Sequence, residues 1–122
     1  MKILVVDDSA AMRMMVVRAL RQAGYAGNEI EQAEDGQIAY DKIMGDLGNI
    51  PDLILCDWNM PNMTGIELLN ALTEKEINTV FGFITTESTR EMRQIATDAG
   101  AKFLIAKPFT SETIERAIST VM

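Results

Sequence analysis

The chain has 122 residues, a net charge of −7, one cysteine and no histidine. This length suits a single domain over residues 1–122; the lone cysteine excludes an internal disulfide and fits a reducing cytoplasm, and no apolar run approaches the roughly 20 residues of a membrane span. The missing histidine excludes Ser-His-Asp and Cys-His catalysis, and the acidic charge argues against nucleic acid as a direct partner.

Short apolar runs predict the strands of the fold. They lie at residues 3–6, 53–56, 80–84 and 103–106, and a weaker, more polar run at 30–33 fits the edge of a sheet. The four strong runs are almost continuously apolar instead of alternating, which is typical of strands covered on both faces.

Helix-period stretches with polar residues at their starts lie between these runs. Glu67 and Glu91 each follow a predicted cap by three residues, as in a capping box. Most of the nine methionines fall at predicted core-facing helical positions, including Met12 and Met15, so we interpret them as adaptable core filler. The predicted N-caps are Ser9, Asp35, Thr64, Ser88 and Thr110.

Five alternations of strand and helix imply an α/β fold, in which a parallel sheet has helices on both faces. Sheets of this kind bind ligands in the crevice outside the carboxyl ends of their strands. The residues that directly follow each strand are therefore the first candidates for a functional site.

Carboxylates, a hydroxyl and an ammonium group follow four of the predicted strands. Asp7 and Asp8 follow the first, Asp57 the third, Thr85 the fourth and Lys107 the fifth. Each has an ordinary explanation alone, because Asp and Thr start turns and cap helices and a lysine after a strand is usually solvated. Since the carboxyl ends of parallel strands lie together, the occurrence of all these residues at strand ends favours a functional site.

These residue types suit a divalent cation and a phosphoryl group. Clustered carboxylates repel one another unless a cation lies among them, and an oxygen-rich site suits Mg²⁺. A carboxylate can also attack phosphorus, giving an aspartyl-phosphate whose charge an ammonium group, a hydroxyl and Mg²⁺ would stabilise. This chemistry needs no histidine in the chain, and the phosphodonor could supply one.

At these positions the sequence resembles the receiver domain of bacterial two-component response regulators, especially the single-domain, CheY-like chemotaxis members. The resemblance covers essentially the whole chain. It is carried by the motifs VVDDS at 5–9, DWNMPNMTG at 57–65, ITTE at 84–87 and KPF at 107–109. It implies a flavodoxin-like (βα)5 three-layer sandwich with a parallel five-stranded sheet of order 2-1-3-4-5.

The resemblance also implies a metal site and a phosphoacceptor. Asp57 matches the phosphoacceptor of the family. Asp8, Asp57 and the main-chain carbonyl of Asn59 match direct ligands of Mg²⁺, for which Mn²⁺ can substitute, and Asp7 matches a ligand that acts through water.

Further residues match those that read and retain the phosphoryl group. Thr85 matches the switch hydroxyl, and Lys107 matches the lysine that pairs with a phosphoryl oxygen, joined to Pro108 by a cis peptide bond. Asn59 and Glu87 match positions at which members tune the phosphate lifetime.

The implied function is a phosphorelay step in which a histidine kinase phosphorylates Asp57 and the resulting switch controls binding to a protein partner, in chemotaxis. The family's output face lies on the fourth helix, fifth strand and fifth helix. We expect the protein to dock onto its target, because no DNA-binding or enzymatic segment follows Met122 in this sequence. Candidate contacts on that face are Arg90, Arg93, Lys102 and Leu104.

One position departs from the family pattern. The switch aromatic, three residues before the lysine, is replaced here by Leu104, which has neither a ring nor a hydroxyl. Phe103 is adjacent, but strand alternation should point it to the opposite face. The substitution bears on binding to a flagellar motor more than on phosphorylation.

Other functional classes remain to be weighed. An aspartate-nucleophile phosphatase would need a second aspartate two residues after Asp57, where this chain has Asn59, so we expect no enzyme beyond slow self-dephosphorylation. A flavodoxin-type electron carrier would need a phosphate-binding loop after the first strand, where Asp7 and Asp8 would repel a flavin phosphate. A phosphate sink without an output target is the closer alternative.

Overall fold

The computed structural model describes residues 1–122 and contains one parallel sheet of five strands. The strands lie in the order β2-β1-β3-β4-β5, which confirms the expected topology, and the polar strand β2 lies at an edge as predicted. Their bounds are β1 Lys2–Val6, β2 Glu29–Ala33, β3 Leu53–Cys56, β4 Val80–Thr85 and β5 Phe103–Ala106.

Five α-helices connect and cover the strands. A π-helical turn over Arg21–Tyr25 extends the first helix to Gly24, whose φ of 106° is one that glycine adopts readily, and a 3₁₀ turn over Leu47–Asn49 lies in the loop before β3. No helix has both the length and the apolar character that a membrane crossing requires. The helices are α1 Ala10–Leu20, α2 Gly36–Met44, α3 Gly65–Glu74, α4 Arg90–Ala99 and α5 Ser111–Val121.

The sheet separates two hydrophobic cores. On one face α1 and α5 bury Val16, Leu20, Ile114 and Ile118 against the strands, and on the other face α2, α3 and α4 bury residues such as Leu68. Fully burying one such side chain contributes about 1.5–3 kcal/mol. The central strand β3 is buried along its whole length, so both cores hold it and the aspartate that follows it in place.

Alternation along β5 sends neighbouring side chains to opposite cores. Phe103 packs with the α1/α5 core, and Leu104 packs with the α2–α4 core, as the alternation predicts. A Cβ on Gly82, the β4 residue paired with Phe103, would overlap the Phe103 ring, so the glycine makes room for it. Phe103 therefore cannot replace the missing aromatic side chain on the Leu104 face.

The prediction that most methionines fill the core is wrong. Only Met60 is buried, while Met14 and Met15 are 61% and 53% exposed. Helix α1 instead turns Val16 and Val17 toward the sheet. The helical period alone does not fix how far the buried face extends around α1, and packing against the sheet decides which of its apolar residues are covered.

One predicted helix start is also wrong. The N-cap of α4 is Thr89, whose hydroxyl accepts a hydrogen bond from the Met92 N–H at 3.1 Å, so no Ser88–Glu91 capping box forms. Two adjacent hydroxyl residues offer the same capping chemistry, and the backbone enters the helix one residue later than predicted. The capping box of Thr64 and Glu67 at the start of α3 is confirmed.

Candidate functional site

Three carboxylates converge at the carboxyl edge of the sheet. The hydrogen-bond ladder continues one residue past β3, because the Asp57 N–H donates to the carbonyl of Val6 at 2.9 Å. Asp7 follows β1 directly and Asp8 comes next. Oxygens of Asp7, Asp8 and Asp57 all lie within 4.8 Å of one another. The sequence prediction that separate strand ends share one pocket therefore agrees with the geometry.

Lys107 is the one cationic side chain that forms ion pairs with these carboxylates. Its Nζ lies 3.0 Å from Asp7 Oδ2 and 3.3 Å from Asp57 Oδ2, and its side chain is only 9% exposed. The Lys107 N–H donates to the Thr85 carbonyl at 2.8 Å, and the Lys107–Pro108 peptide bond is cis. One ammonium group among three carboxylates leaves the cluster with excess negative charge when all three are ionised.

The donor set fits a hard divalent cation. Carboxylate oxygens within 4.8 Å need to close only slightly around Mg²⁺, whose opposite ligands are about 4 Å apart. The main-chain carbonyl of Asn59, three residues beyond β3, accepts no hydrogen bond within the protein and is available as a further oxygen ligand. Asp7, Asp8, Asp57 and Asn59 would hold the ion, with water completing the shell.

Burial and neighbouring charges shift the pKa of Asp57. Burial raises the pKa of its carboxyl, the ammonium group of Lys107 opposes that shift, and the like charge of Asp7 adds to it. Burial also raises the pKa of the neighbouring Cys56 thiol well above its ordinary value, so this cysteine is no competing nucleophile. A cation bound beside Asp57 would favour its ionised form and oppose the effect of burial.

The turn after β3 holds Asp57 through backbone groups. The Trp58 N–H donates to Asp57 Oδ1 at 2.8 Å, and the Gly65 N–H donates to the Trp58 carbonyl at 2.9 Å. A Cβ on Gly65 would overlap the Asp57 carbonyl oxygen and approach Phe83. This close passage of the start of α3 under the aspartate requires glycine.

Thr85 and Glu87 lie at the end of β4. The Thr85 side chain is fully buried, and its hydroxyl accepts a long hydrogen bond of 3.4 Å from the Glu87 N–H. Its own proton is free to be donated to an incoming acceptor. The carboxylate of Glu87 makes no hydrogen bond or ion pair and is exposed beside the site.

Sequence reasoning missed two contacts that support the site. Arg13 of α1 donates to the Asp7 carbonyl at 2.7 Å, which no spacing rule indicates. Asn62 donates to Asp35 at 2.9 Å, tying the loop after Asp57 to the N-terminus of α2. Asn62 has a φ of 68°, a conformation that asparagine tolerates, so its position in a Pro-Asn turn was the available signal.

The face formed by α4, β5 and α5 lies beside the site. A groove of about 490 Å³ there is lined by Arg93, Leu104 and Arg116 among others. Arg93 donates to the Leu104 carbonyl at 3.2 Å, and the Leu104 side chain is partly buried. A larger cavity of about 730 Å³ lies near the amino ends of β3, β4 and β5, away from the carboxylates. It brings together no comparable set of functional groups.

Known proteins share this sequence pattern over nearly the whole chain. A family model described as the response regulator receiver domain matches residues 3–119. The chemotaxis protein CheY-3 of Vibrio cholerae is 38% identical over 124 residues, covering 99% of this chain and 91% of the relative.

Solved structures agree with the sequence match. The chemotaxis protein CheY4 of Vibrio cholerae superposes with a TM-score of 0.84 at 36% identity, covering 99% of this chain and 98% of that one. A CheX–CheY–BeF3–Mg²⁺ complex from Borrelia burgdorferi includes a chain that superposes with a TM-score of 0.88 at 28% identity, covering 98% and 87%.

Proposed function

The chain belongs to the response regulator receiver domain family and is similar to its CheY chemotaxis members, and on this premise we propose that a histidine kinase phosphorylates Asp57 in an Mg²⁺-dependent step. The observation that carries the proposal is the meeting of Asp7, Asp8, Asp57 and Lys107 at one edge of the sheet. The proposed receiver domain spans residues 1–122 and acts in the cytoplasm.

The transfer requires little covalent chemistry from the protein. A carboxylate oxygen of Asp57 forms a bond to phosphorus while the phosphorus–nitrogen bond of the phosphohistidine breaks, and the electron pair stays on the imidazole nitrogen, which takes up a proton. Mg²⁺, or Mn²⁺ in its place, supplies positive charge to the transferred oxygens when bound. Lys107, 3.3 Å from Asp57, supplies the remaining fixed charge.

Residues of the same site would bind and stabilise the new phosphoryl group. Lys107 can transfer its contact from the Asp57 carboxylate to a phosphoryl oxygen, and Thr85 can donate its unused hydroxyl proton to another. Asn59 and Glu87 are both exposed, and they are the residues that would tune the phosphate lifetime. Asn59 cannot transfer protons as an aspartate would, so the protein is a signalling switch and not an enzyme acting on external substrates.

The output is a change in binding to a protein target. Recruiting Thr85 and Lys107 favours one of two pre-existing conformations, and β5 links Lys107 to the groove beside Leu104. The face of α4, β5 and α5, with Arg90, Arg93 and Lys102 exposed on it, is the proposed docking surface for a chemotaxis partner.

Leu104 favours one alternative function. A receiver without an aromatic side chain at this position could drain phosphoryl groups from a kinase and dock onto no target, acting as a phosphate sink. Pull-downs from the native host with and without phosphorylation separate the two. Capture of a target that depends on phosphorylation supports the messenger, and capture of the kinase alone supports the sink.

The phosphoacceptor proposal is tested with the intact protein. Trp58 lies directly after Asp57, so its fluorescence should change on adding Mg²⁺ and change again on adding acetyl phosphate. Intact mass spectrometry should show the addition of one phosphoryl group in the wild type and none in Asp57→Asn. A wild type that gains no phosphoryl group, or a variant that gains it equally, would contradict the proposal.

A further inference from the structure

An aromatic pair joins the residue after the proposed phosphoacceptor to the middle of the sheet. The Trp58 and Phe83 rings have centroids 4.8 Å apart with an interplanar angle of 35°. Phe83 is completely buried, whereas Trp58 is partly exposed beside Asp57. The ring of Phe83 therefore contacts the first residue of the loop that holds the site.

The same ring lies next to two residues of the proposed switch. Phe83 and Thr85 are two residues apart on β4, so their side chains point to the same face of the sheet. Phe83 pairs in register with Leu104 on β5, and both belong to the α2–α4 core. Neighbouring strands are about 4.8 Å apart, which places the ring and the leucine side by side.

The Phe83 ring also packs against the start of α3 and against a second aromatic ring of β4. Its Cε1 would lie 2.8 Å from a Cβ placed on Gly65, so Phe83 packs against the first residue of α3. Phe81 meets it edge to face at a centroid distance of 5.1 Å. In a close-packed interior a shift of Trp58 or Thr85 cannot be absorbed locally and must move the neighbours of the ring.

We propose that Phe83 is the positioning residue that couples the Asp57 loop and Thr85 to the α4–β5 face in this chain. The partner position on β5 carries Leu104, which has no ring, and the buried ring that bridges the two regions comes from β4 instead. The inference rests on the proposed function, because it assigns to Phe83 the transmission of the phosphorylation signal and no part in the transfer itself.

The test compares Phe83→Leu with Phe81→Leu. Both phenylalanines are fully buried on the same strand and in the same core, so the two variants lose similar packing, but only Phe83 contacts Trp58. Each protein is saturated with Mg²⁺ and beryllofluoride, a mimic of the phosphoryl group. Fluorine NMR measures the binding of beryllofluoride at the site. The change in the amide chemical shift of Leu104 on adding beryllofluoride, called the Leu104 shift below, measures the response of the output face.

We expect Phe83→Leu to bind beryllofluoride, while the size of its Leu104 shift falls about threefold or more relative to the wild type. We expect Phe81→Leu to keep both the fluorine signal and the Leu104 shift. A Leu104 shift of wild-type size in Phe83→Leu, or an equal loss in Phe81→Leu, would overturn the role of Phe83. Failure of the wild type to bind beryllofluoride would instead overturn the phosphoacceptor proposal. Should Phe83→Leu not fold, Phe83→Met carries the same comparison.

Discussion

Replacing Asp57 with asparagine should stabilise the metal-free protein. The side chain is only 12% exposed, and its carboxylate lies with those of Asp7 and Asp8 within a span of 4.8 Å. Asparagine keeps the shape and the oxygen that accepts the Trp58 N–H, but removes the charge. The change therefore isolates the electrostatic cost of holding three carboxylates together without a cation.

The charge terms nearly cancel. At an effective dielectric constant of about 20, a pair of carboxylates 4.8 Å apart repels by roughly 3.5 kcal/mol, and solvent weakens the repulsion from the exposed Asp8. The attraction lost with Lys107 at 3.3 Å is roughly 5 kcal/mol on the same scale. The cost of burying the Asp57 charge then decides the sign, and we expect a net stabilisation of about 1–2 kcal/mol.

Urea unfolding at neutral pH with a chelator measures this difference. Saturating Mg²⁺ should reverse the ranking, because the wild type gains about 2.7 kcal/mol at a hundredfold excess over the dissociation constant while the variant gains less. Asp57→Ala is a poorer choice, since it also removes the contact to Trp58. A metal-free Asp57→Asn variant that is less stable than the wild type would refute the electrostatic reasoning.

The pH dependence supplies an independent check. Burial raises the pKa of Asp57 above its ordinary value of 3.8, so its ionisation opposes folding. The stability associated with the neutral form is fully present below about pH 3.8 and is lost as the pH rises through the folded-state pKa. The advantage of Asp57→Asn should therefore be small in acid and reach its full size near neutral pH.

Three further substitutions, with Ser88→Ala as a matched control, test the supports of the site and the start of α4. Gly65→Ala should cost about 1–3 kcal/mol in urea unfolding, because the new methyl group overlaps the Asp57 carbonyl. Thr89→Ala should cost about 1 kcal/mol by removing the cap of α4, while Ser88→Ala stays within about 0.5 kcal/mol. Asp35→Ala should cost about 1–2 kcal/mol at neutral pH by removing the cap of α2. Hydrogen bonding, chiefly from the Ile38 N–H, lowers the pKa of Asp35 in the folded protein. The stability difference between wild type and variant should therefore shrink as the pH falls below about 3.8 and through the folded-state pKa.

Each of these substitutions has an outcome that would count against it. A Gly65→Ala variant as stable as the wild type would show that the turn can move away from Asp57. Equal losses of stability in Ser88→Ala and Thr89→Ala would contradict the assignment of Thr89 as the N-cap of α4. A stability difference for Asp35→Ala that stays constant down to strong acid would mean that its charge plays no part in the cap.

Much of the fold and the site followed from local rules. Continuous apolar runs identified the strands, and the parallel arrangement then required that Asp7, Asp57, Thr85 and Lys107 lie at one edge. That inference needs only the strand ends and not the packing between them. It therefore survived the one-residue error at the start of α4.

The parts that failed depend on tertiary contacts. Periodicity placed Met15 on the buried face of α1, but packing against the sheet covers Val17 and leaves Met15 exposed. The contact of Arg13 with the Asp7 carbonyl and the tilted contact between the Trp58 and Phe83 rings join residues from different elements. Such pairings are set by how the layers meet, and a single sequence carries no periodic signal for them.

The exposed methionines of α1 have a chemical consequence. Thioether sulfur reacts with peroxide according to its access to solvent, so Met14 and Met15 should oxidise well before the buried Met60. A sulfoxide on the outer side of this helix adds polarity where water already is, whereas one at Met60 would disrupt the core. Oxidant would thus be consumed at the surface before the interior is damaged.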